Sequence, residues 1–204
     1  MGRIFLNAIG RLLRGTTKAL ILMPALLWLA NEALAEANPD ESRAYFDKAS
    51  HFAEAGKFRA AVIELKNSLR EDPANIGARL LLANVYLMLG DGKSAQDQLK
   101  VAQRFGVDQK QLIVPLYSAL LAEGRFAEVL SETSPEGLQP GVEIELRLLR
   151  AEAQIGLRQL PEARSAYEDI RKTKADDARV PLGLARIDIA EHKFDAAEAH
   201  AVKA

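Results

Sequence analysis

The chain has 204 residues, of which 49% are hydrophobic and 27% are charged, and its formal charge at pH 7 is −1. This composition is sufficient for a buried core, and the absence of a basic excess argues against nucleic acid as a partner. The sequence contains no cysteine, which excludes a disulfide framework, a thiolate metal site, a cysteine nucleophile and a lipid-modified N-terminal cysteine.

Residues 1–35 have the order of regions typical of a secretory signal peptide. Four basic residues and no acidic residue lie in 1–18, an unbroken apolar run occupies 19–30, and the tripeptide 33–35 has a small residue at each end. The apolar run is shorter than the roughly 20 residues that a membrane-spanning helix needs. We expect export and cleavage after Ala35, with membrane contact only through this segment before cleavage; the alternative is an uncleaved N-terminal anchor.

After a short linker at 36–41, the remainder of the chain, 42–204, repeats with a period of 34 residues. A turn residue and, five positions later, a small apolar residue recur in five segments. The repeat units begin at Ser42, Ile76, Lys110, Ile144 and Ala178, the turn residues are Gly56, Gly90, Gly124, Arg158 and His192, and the small residues are Ala61, Ala95, Val129, Ala163 and Ala197.

A period of 34 residues accommodates two helices of about 14 residues, a tight turn and a short link, and it is the period of tetratricopeptide (TPR) repeats. One such hairpin cannot bury its apolar stripe alone, so the units must stack. The predicted fold is all-α, a right-handed superhelical α-solenoid of TPR helical hairpins. Glycine closes the first helix in the first three units. Arg158 and His192 depart from that column, so we expect the last two turns to close differently.

Two irregularities stand out within the array. Residues 134–141 contain two prolines and two glycines, which predicts a loop that shortens the second helix of the third unit. The fifth unit stops at Ala204, inside its second helix, without a polar capping helix. We therefore expect the chain to be the N-terminal part of a longer array; the alternative is a short protein whose last helix is covered by a partner.

No motif in the sequence indicates catalysis. The segment Gly90–Ser94 resembles the end of a phosphate-binding loop, but Leu87 stands where that pattern requires glycine, so we interpret it as a turn. The three histidines lack metal-ligand spacing, and no serine has a base placed by the pattern. The sequence predicts a protein that is not an enzyme and has no metal and no cofactor.

The concave face is the remaining candidate site. In stacked helical hairpins the first helices line this face, mainly at repeat positions 2, 5, 9 and 12, and the groove suits an extended segment or a helix of a protein or peptide partner. The alternative is that some of these apolar side chains only pack one first helix against the next. The candidate partner-binding residues are Arg43, Phe46, Ser50, Leu80, Asn84, Leu87, Val114, Ser118, Leu121, Glu152 and Arg186.

Three stretches resemble one TPR family beyond the general repeat pattern. They are AAVIELKNSLREDPAN (60–75), ARLLLANVYLMLGDGKSAQDQLKVAQRFGVD (78–108) and LLAEGRFAEVL (120–130). They resemble the TPR-repeat proteins of the PEP-CTERM/exosortase system, called PrsT, over about residues 42–130. The resemblance implies export in a Gram-negative bacterium and association with exopolysaccharide production and with sorting of proteins that carry a C-terminal PEP-type anchor. It carries over no catalytic residue.

The resulting hypothesis is a scaffold in the periplasm or cell envelope that mediates protein–protein interactions in that system. A second hypothesis is a TPR assembly factor for an outer-membrane secretion channel. A third is the N-terminal part of a larger envelope enzyme.

Overall fold

A computed structural model describes residues 37–131 and 137–204. The predicted signal peptide and its cleavage site lie outside the described residues. The described parts contain ten α-helices and no strand. None of these helices combines the length and apolarity that crossing a bilayer demands.

The helices form five consecutive hairpins. The first hairpin is α1 (Pro39–Glu54) and α2 (Phe58–Glu71), the second α3 (Ile76–Met88) and α4 (Gly92–Arg104), the third α5 (Gln109–Ala122) and α6 (Phe126–Ser131), the fourth α7 (Pro140–Gly156) and α8 (Leu160–Thr173), and the fifth α9 (Arg179–Ala190) and α10 (Phe194–Ala201). The all-α hairpin array predicted from the 34-residue period is therefore present.

Local capping sets where several helices begin. The side chain of Asn38 accepts a hydrogen bond from the backbone N–H of Glu41, and Pro39 occupies the first turn of α1, where a missing N–H is not needed. Three residues of the segment predicted as a linker therefore belong to α1. Asn75 caps α3 in the same way through the N–H of Ala78.

All five hairpin turns close in the same way. The turn residue has a positive φ in every unit, and the N–H of the following residue donates to the carbonyl five positions back at 2.8–2.9 Å. This is the hydrogen bond of a Schellman motif. The prediction that Arg158 and His192 close their turns differently is wrong: both adopt φ of 62°, because the hairpin geometry imposes the left-handed conformation whichever residue occupies it.

The third unit has a short second helix, as the loop signature at 134–141 predicts. The helix α6 has only six residues. Arg150 of α7 donates to the carbonyls of Val129 and Leu130 at 3.4 and 2.8 Å. A side chain of the next unit therefore satisfies backbone groups that a longer helix would pair internally.

The core consists of clusters shared between neighbouring hairpins. The first helix of one unit, its second helix and the first helix of the next unit contribute to each of the two largest clusters, one centred on Leu65 and Leu82 and the other on Tyr167 and Leu184. The predicted small-residue column is buried throughout, which permits close approach of the two helices of each hairpin. Each unit depends on its neighbour for burial, as stacking requires.

Candidate partner-binding groove

The predicted groove residues of the first hairpin lie partly in the core. Phe46 is half-buried and its ring lies 3.6 Å from where a Cβ on Gly77 would be. The hydroxyl of Ser50 donates to the carbonyl of Phe46 at 3.0 Å, so this side chain is satisfied within its own helix. Arg43 is exposed.

The candidate residues of the second and third hairpins are also divided between the core and the surface. Leu80 packs against the cluster that contains Leu112, and Val114 and Leu121 pack against the cluster around Tyr117. These three apolar side chains are half-buried and pack between neighbouring units, and their role in partner binding stays a prediction. Asn84 is exposed, and Leu87 and Ser118 are half-buried.

The fourth and fifth hairpins bring two predicted residues into direct contact. Glu152 of α7 and Arg186 of α9 occupy the same repeat position, and the guanidinium donates to the carboxylate across the two helices. The hydroxyl of Tyr167 donates to the other oxygen of Glu152 at 2.5 Å. Burial, with this hydrogen bond, raises the pKa of Tyr167, so the phenol stays protonated and remains a donor.

A second ion pair, which was not predicted from the sequence, joins the same two helices. Its residues stand at repeat position 2, whereas those of the first pair stand at position 9. Arg179 donates to both oxygens of Glu145 at 2.6 and 2.8 Å, and also to Asp177 at 2.7 Å. The hydrogen bond from Arg179 lowers the pKa of Asp177 to about 2. A usable signal exists in the sequence, because Glu145 and Arg179 stand 34 residues apart at position 2 with opposite charges.

A cavity of about 500 Å³ opens between the two first helices that these ion pairs join. The first helices of successive units contact each other directly along the array up to α7, whereas the backbones of α7 and α9 lie further apart. The walls of the cavity are mainly apolar, and Leu182 and Ile189 are 49% and 54% exposed. The cavity is lined by Glu145, Leu148, Leu149, Glu152, Tyr167, Arg179, Leu182, Ala185, Arg186, Ile189 and Ala201.

A second cavity of about 470 Å³ lies where α5 begins. It is bounded by Asp108 and Val114 on one side and by Leu138 and Val142 on the other. Of the predicted groove residues only Val114 contributes to it, and its walls include fewer large exposed apolar side chains than those of the first cavity. The cavity between α7 and α9 is therefore the better candidate site.

The carboxylates that line the cavity are engaged by arginines of the same protein. The carboxylates of Glu145 and Glu152 are each held by an arginine, and no group of three or more potential metal ligands occurs in 37–131 or 137–204. The turn at Gly90–Ser94 leads into α4, where Asp91 accepts from the N–H of Ser94. That carboxylate occupies the helix N-terminus at which a phosphate would bind.

The hairpin array is similar to known tetratricopeptide-repeat proteins in sequence pattern and in fold. The family model for the tetratricopeptide repeat matches residues 52–124. MamA (41-end) from Desulfovibrio magneticus RS-1 superposes with a TM-score of 0.58 at 15% identity, over 80% of this chain and 93% of that chain. A thermophilic TPR protein from Thermus thermophilus superposes with a TM-score of 0.57 at 18% identity, over 79% and 89%. The fold is a tetratricopeptide-repeat solenoid.

A third solved structure supports the same architecture. PilF from Pseudomonas aeruginosa has a TM-score of 0.53 at 16% identity, over 79% of this chain and 73% of that chain. Identities this low establish the TPR fold alone. No curated protein sequence matches the chain. TPR arrays are generally non-enzymatic scaffolds that bind protein or peptide partners, which agrees with a groove that has apolar walls and paired charges.

Proposed function

We propose that this protein is an exported TPR scaffold that binds a protein partner in the groove between α7 and α9. The observation that carries the proposal is the cavity itself, which leaves Leu182 and Ile189 half-exposed on the face formed by first helices. Leaving large apolar side chains in water is unfavourable, and covering them on binding contributes roughly 25 cal/mol per Å². A largely apolar concavity with a few placed polar groups is the usual form of a binding site.

The proposed cellular role is in exopolysaccharide production and PEP-CTERM protein sorting at the Gram-negative envelope. Its support is the resemblance of residues 42–130 to the TPR-repeat proteins of that system. Export is supported by the basic, apolar and small-residue regions of residues 1–35.

Export is tested by producing the full chain in a Gram-negative cell and fractionating it. We expect the protein in the periplasm or envelope, with Glu36 as its first residue. The matched control replaces Leu26 and Leu27 with arginine, which interrupts the apolar run and should leave the protein unprocessed in the cytoplasm. Recovery of the unchanged chain, unprocessed, from the cytoplasm would contradict the proposal.

The partner is tested by co-purification from the envelope fraction of cells that carry the exosortase system. We expect components of exopolysaccharide synthesis or protein sorting to be recovered with the wild-type chain. The variant Leu182→Glu should lose them, whereas Ile63→Glu should retain them, because Ile63 is 61% exposed on α2 and lies outside the groove. Recovery of cytoplasmic chaperones alone would contradict the proposed role.

A further inference from the structure

Two ion pairs join the helices that line the cavity between α7 and α9. Glu145 and Glu152 are seven residues apart on α7, and their partners Arg179 and Arg186 are seven apart on α9. Seven residues correspond to about 10 Å along a helix. Leu148 and Leu182, which are themselves 34 residues apart, lie between the two pairs and line the cavity. The part of the cavity between the two pairs is therefore an apolar slot about two helical turns long, and Ile189 lines the cavity about one turn beyond Arg186.

The charges at both ends of the slot have partners inside the protein. Arg179 holds Glu145 and Asp177, and Arg186 holds Glu152, which also accepts the hydrogen bond from Tyr167. A carboxylate entering the slot would find each of the two lining arginines already engaged. Placing an ion beside apolar walls without a free counter-charge is costly.

The walls of the slot favour a different occupant. Leu148 is buried, Leu182 and Ile189 are about half-exposed, and the ring of Tyr167 packs behind them against Gly183 of α9. A volume of about 500 Å³ falls in the range of sites that enclose a ligand group. Apolar anchors that enter such pockets supply most of the energy of many protein interfaces.

We infer that the slot binds one large uncharged apolar side chain of the partner, a leucine, isoleucine, methionine or phenylalanine, between the two ion pairs. The inference rests on the proposed function and specifies the chemistry of the partner at that site. It excludes recognition of an acidic peptide or a C-terminal carboxylate in the slot. Leu182 and Ile189 are the residues of this chain that determine the preference.

The test is selection of a random dodecapeptide display library on the purified full chain. We expect the selected peptides to share one large apolar residue, and replacement of that residue by alanine should weaken binding about tenfold or more. Leu182→Glu should weaken binding of the same peptides to a similar extent, and Ile189→Glu provides a second variant. Ile63→Glu is the matched control and should bind as the wild type does, with circular dichroism verifying that each variant is folded.

Two results would overturn the inference. A consensus of acidic residues or of a free C-terminal carboxylate, bound in a manner that depends on Leu182, would contradict the inference and leave the scaffold function standing. Peptide binding that neither Leu182→Glu nor Ile189→Glu weakens, or no peptide binding to the folded chain at all, would contradict the proposed groove as well.

Discussion

Arg158 and His192 carry an energetic cost that the other hairpin turns avoid. Both have φ of 62°, and in the part of the chain that the structure describes no other residue except glycine has a positive φ. The left-handed conformation costs a residue with a Cβ about 1–2 kcal/mol. The hydrogen bonds of the two turns match those at Gly56, Gly90 and Gly124, so the packed hairpins impose the conformation.

Replacement of Arg158 by glycine should raise the free energy of unfolding by about 1 kcal/mol, because it removes the steric cost at an exposed position. The measurement is urea unfolding followed by circular dichroism. The reverse change Gly124→Arg, at the equivalent turn, should lower the stability by a similar amount. Equal stability of Arg158→Gly and the wild type would show that the turn is not strained.

Asp188 joins three helices through a buried carboxylate. It occupies the repeat position that holds Phe52 and Tyr86 in the first two units, and only 1% of it is exposed. Arg164 of α8 and His200 of α10 each contact it at 2.6 Å. Burial opposes ionisation, but the hydrogen bonds from these two partners outweigh it and hold the pKa of Asp188 below its ordinary value.

Substitution of Asp188 by asparagine should destabilise the protein by roughly 1.5–3 kcal/mol at pH 7, since hydrogen bonds to a charged group are lost. A lowered carboxyl pKa contributes stability above its unfolded value of about 4, and the contribution disappears as the pH falls through the folded value. The difference between wild type and Asp188→Asn in urea unfolding should therefore shrink on acidification below about pH 4. A difference that stays constant or grows in acid would contradict the assignment.

At the scale of elements, the contact between α8 and α9 determines how the last two hairpins meet. A Cβ on Gly183 would lie 2.2 Å from the ring of Tyr167. The missing side chain thus lets α9 pack against the aromatic ring, and the hydroxyl of Tyr167 donates a hydrogen bond to Glu152. The groove depends on this close approach, because Tyr167 forms its rear wall.

Gly183→Ala should destabilise the array by about 1–3 kcal/mol, the usual cost of overpacking a core. An alanine inside a helix ordinarily stabilises it by up to 1 kcal/mol relative to glycine. The sign of the change in unfolding free energy therefore distinguishes overpacking from this ordinary effect. Gly141→Ala in α7 is the matched control, since nothing lies within 4 Å of its added Cβ, and it should be neutral or stabilising. Thermal unfolding of the two variants measures both effects, and a stabilised Gly183→Ala protein would contradict the close packing.

For the whole molecule, the 34-residue period is sufficient to predict the hairpins. The small column at Ala61, Ala95 and Ala163 is buried as expected, because stacking requires small residues where the two helices of a hairpin meet. The turn geometry at Arg158 was not predictable from residue preference, since tertiary packing overrides it. The pair Glu145–Arg179 was not predicted although its residues stand one repeat apart with opposite charges, because pairing also requires a suitable distance between α7 and α9, which the repeat pattern does not contain.

The groove residues divide between core and surface in a way that the sequence pattern alone does not resolve. Positions 5, 9 and 12 face the same side of every first helix, yet Leu80 and Val114 pack into clusters while Leu182 and Ile189 stay about half-exposed. Leu80 and Val114 each pack in a cluster that includes a residue of the following first helix, whereas in the described residues no first helix follows α9. The proposed partner-binding groove therefore lies at the fourth and fifth hairpins.

Site-specific photo-crosslinking in the producing cell tests the central claim most directly. A photoreactive amino acid is placed at Leu182, at Ile189 and, as the control, at Ile63, all of which are about half-exposed or more. We expect positions 182 and 189 to crosslink to the same protein partner and position 63 not to crosslink to it. Crosslinking to that partner from position 63 alone, or no crosslink from either groove position, would contradict it.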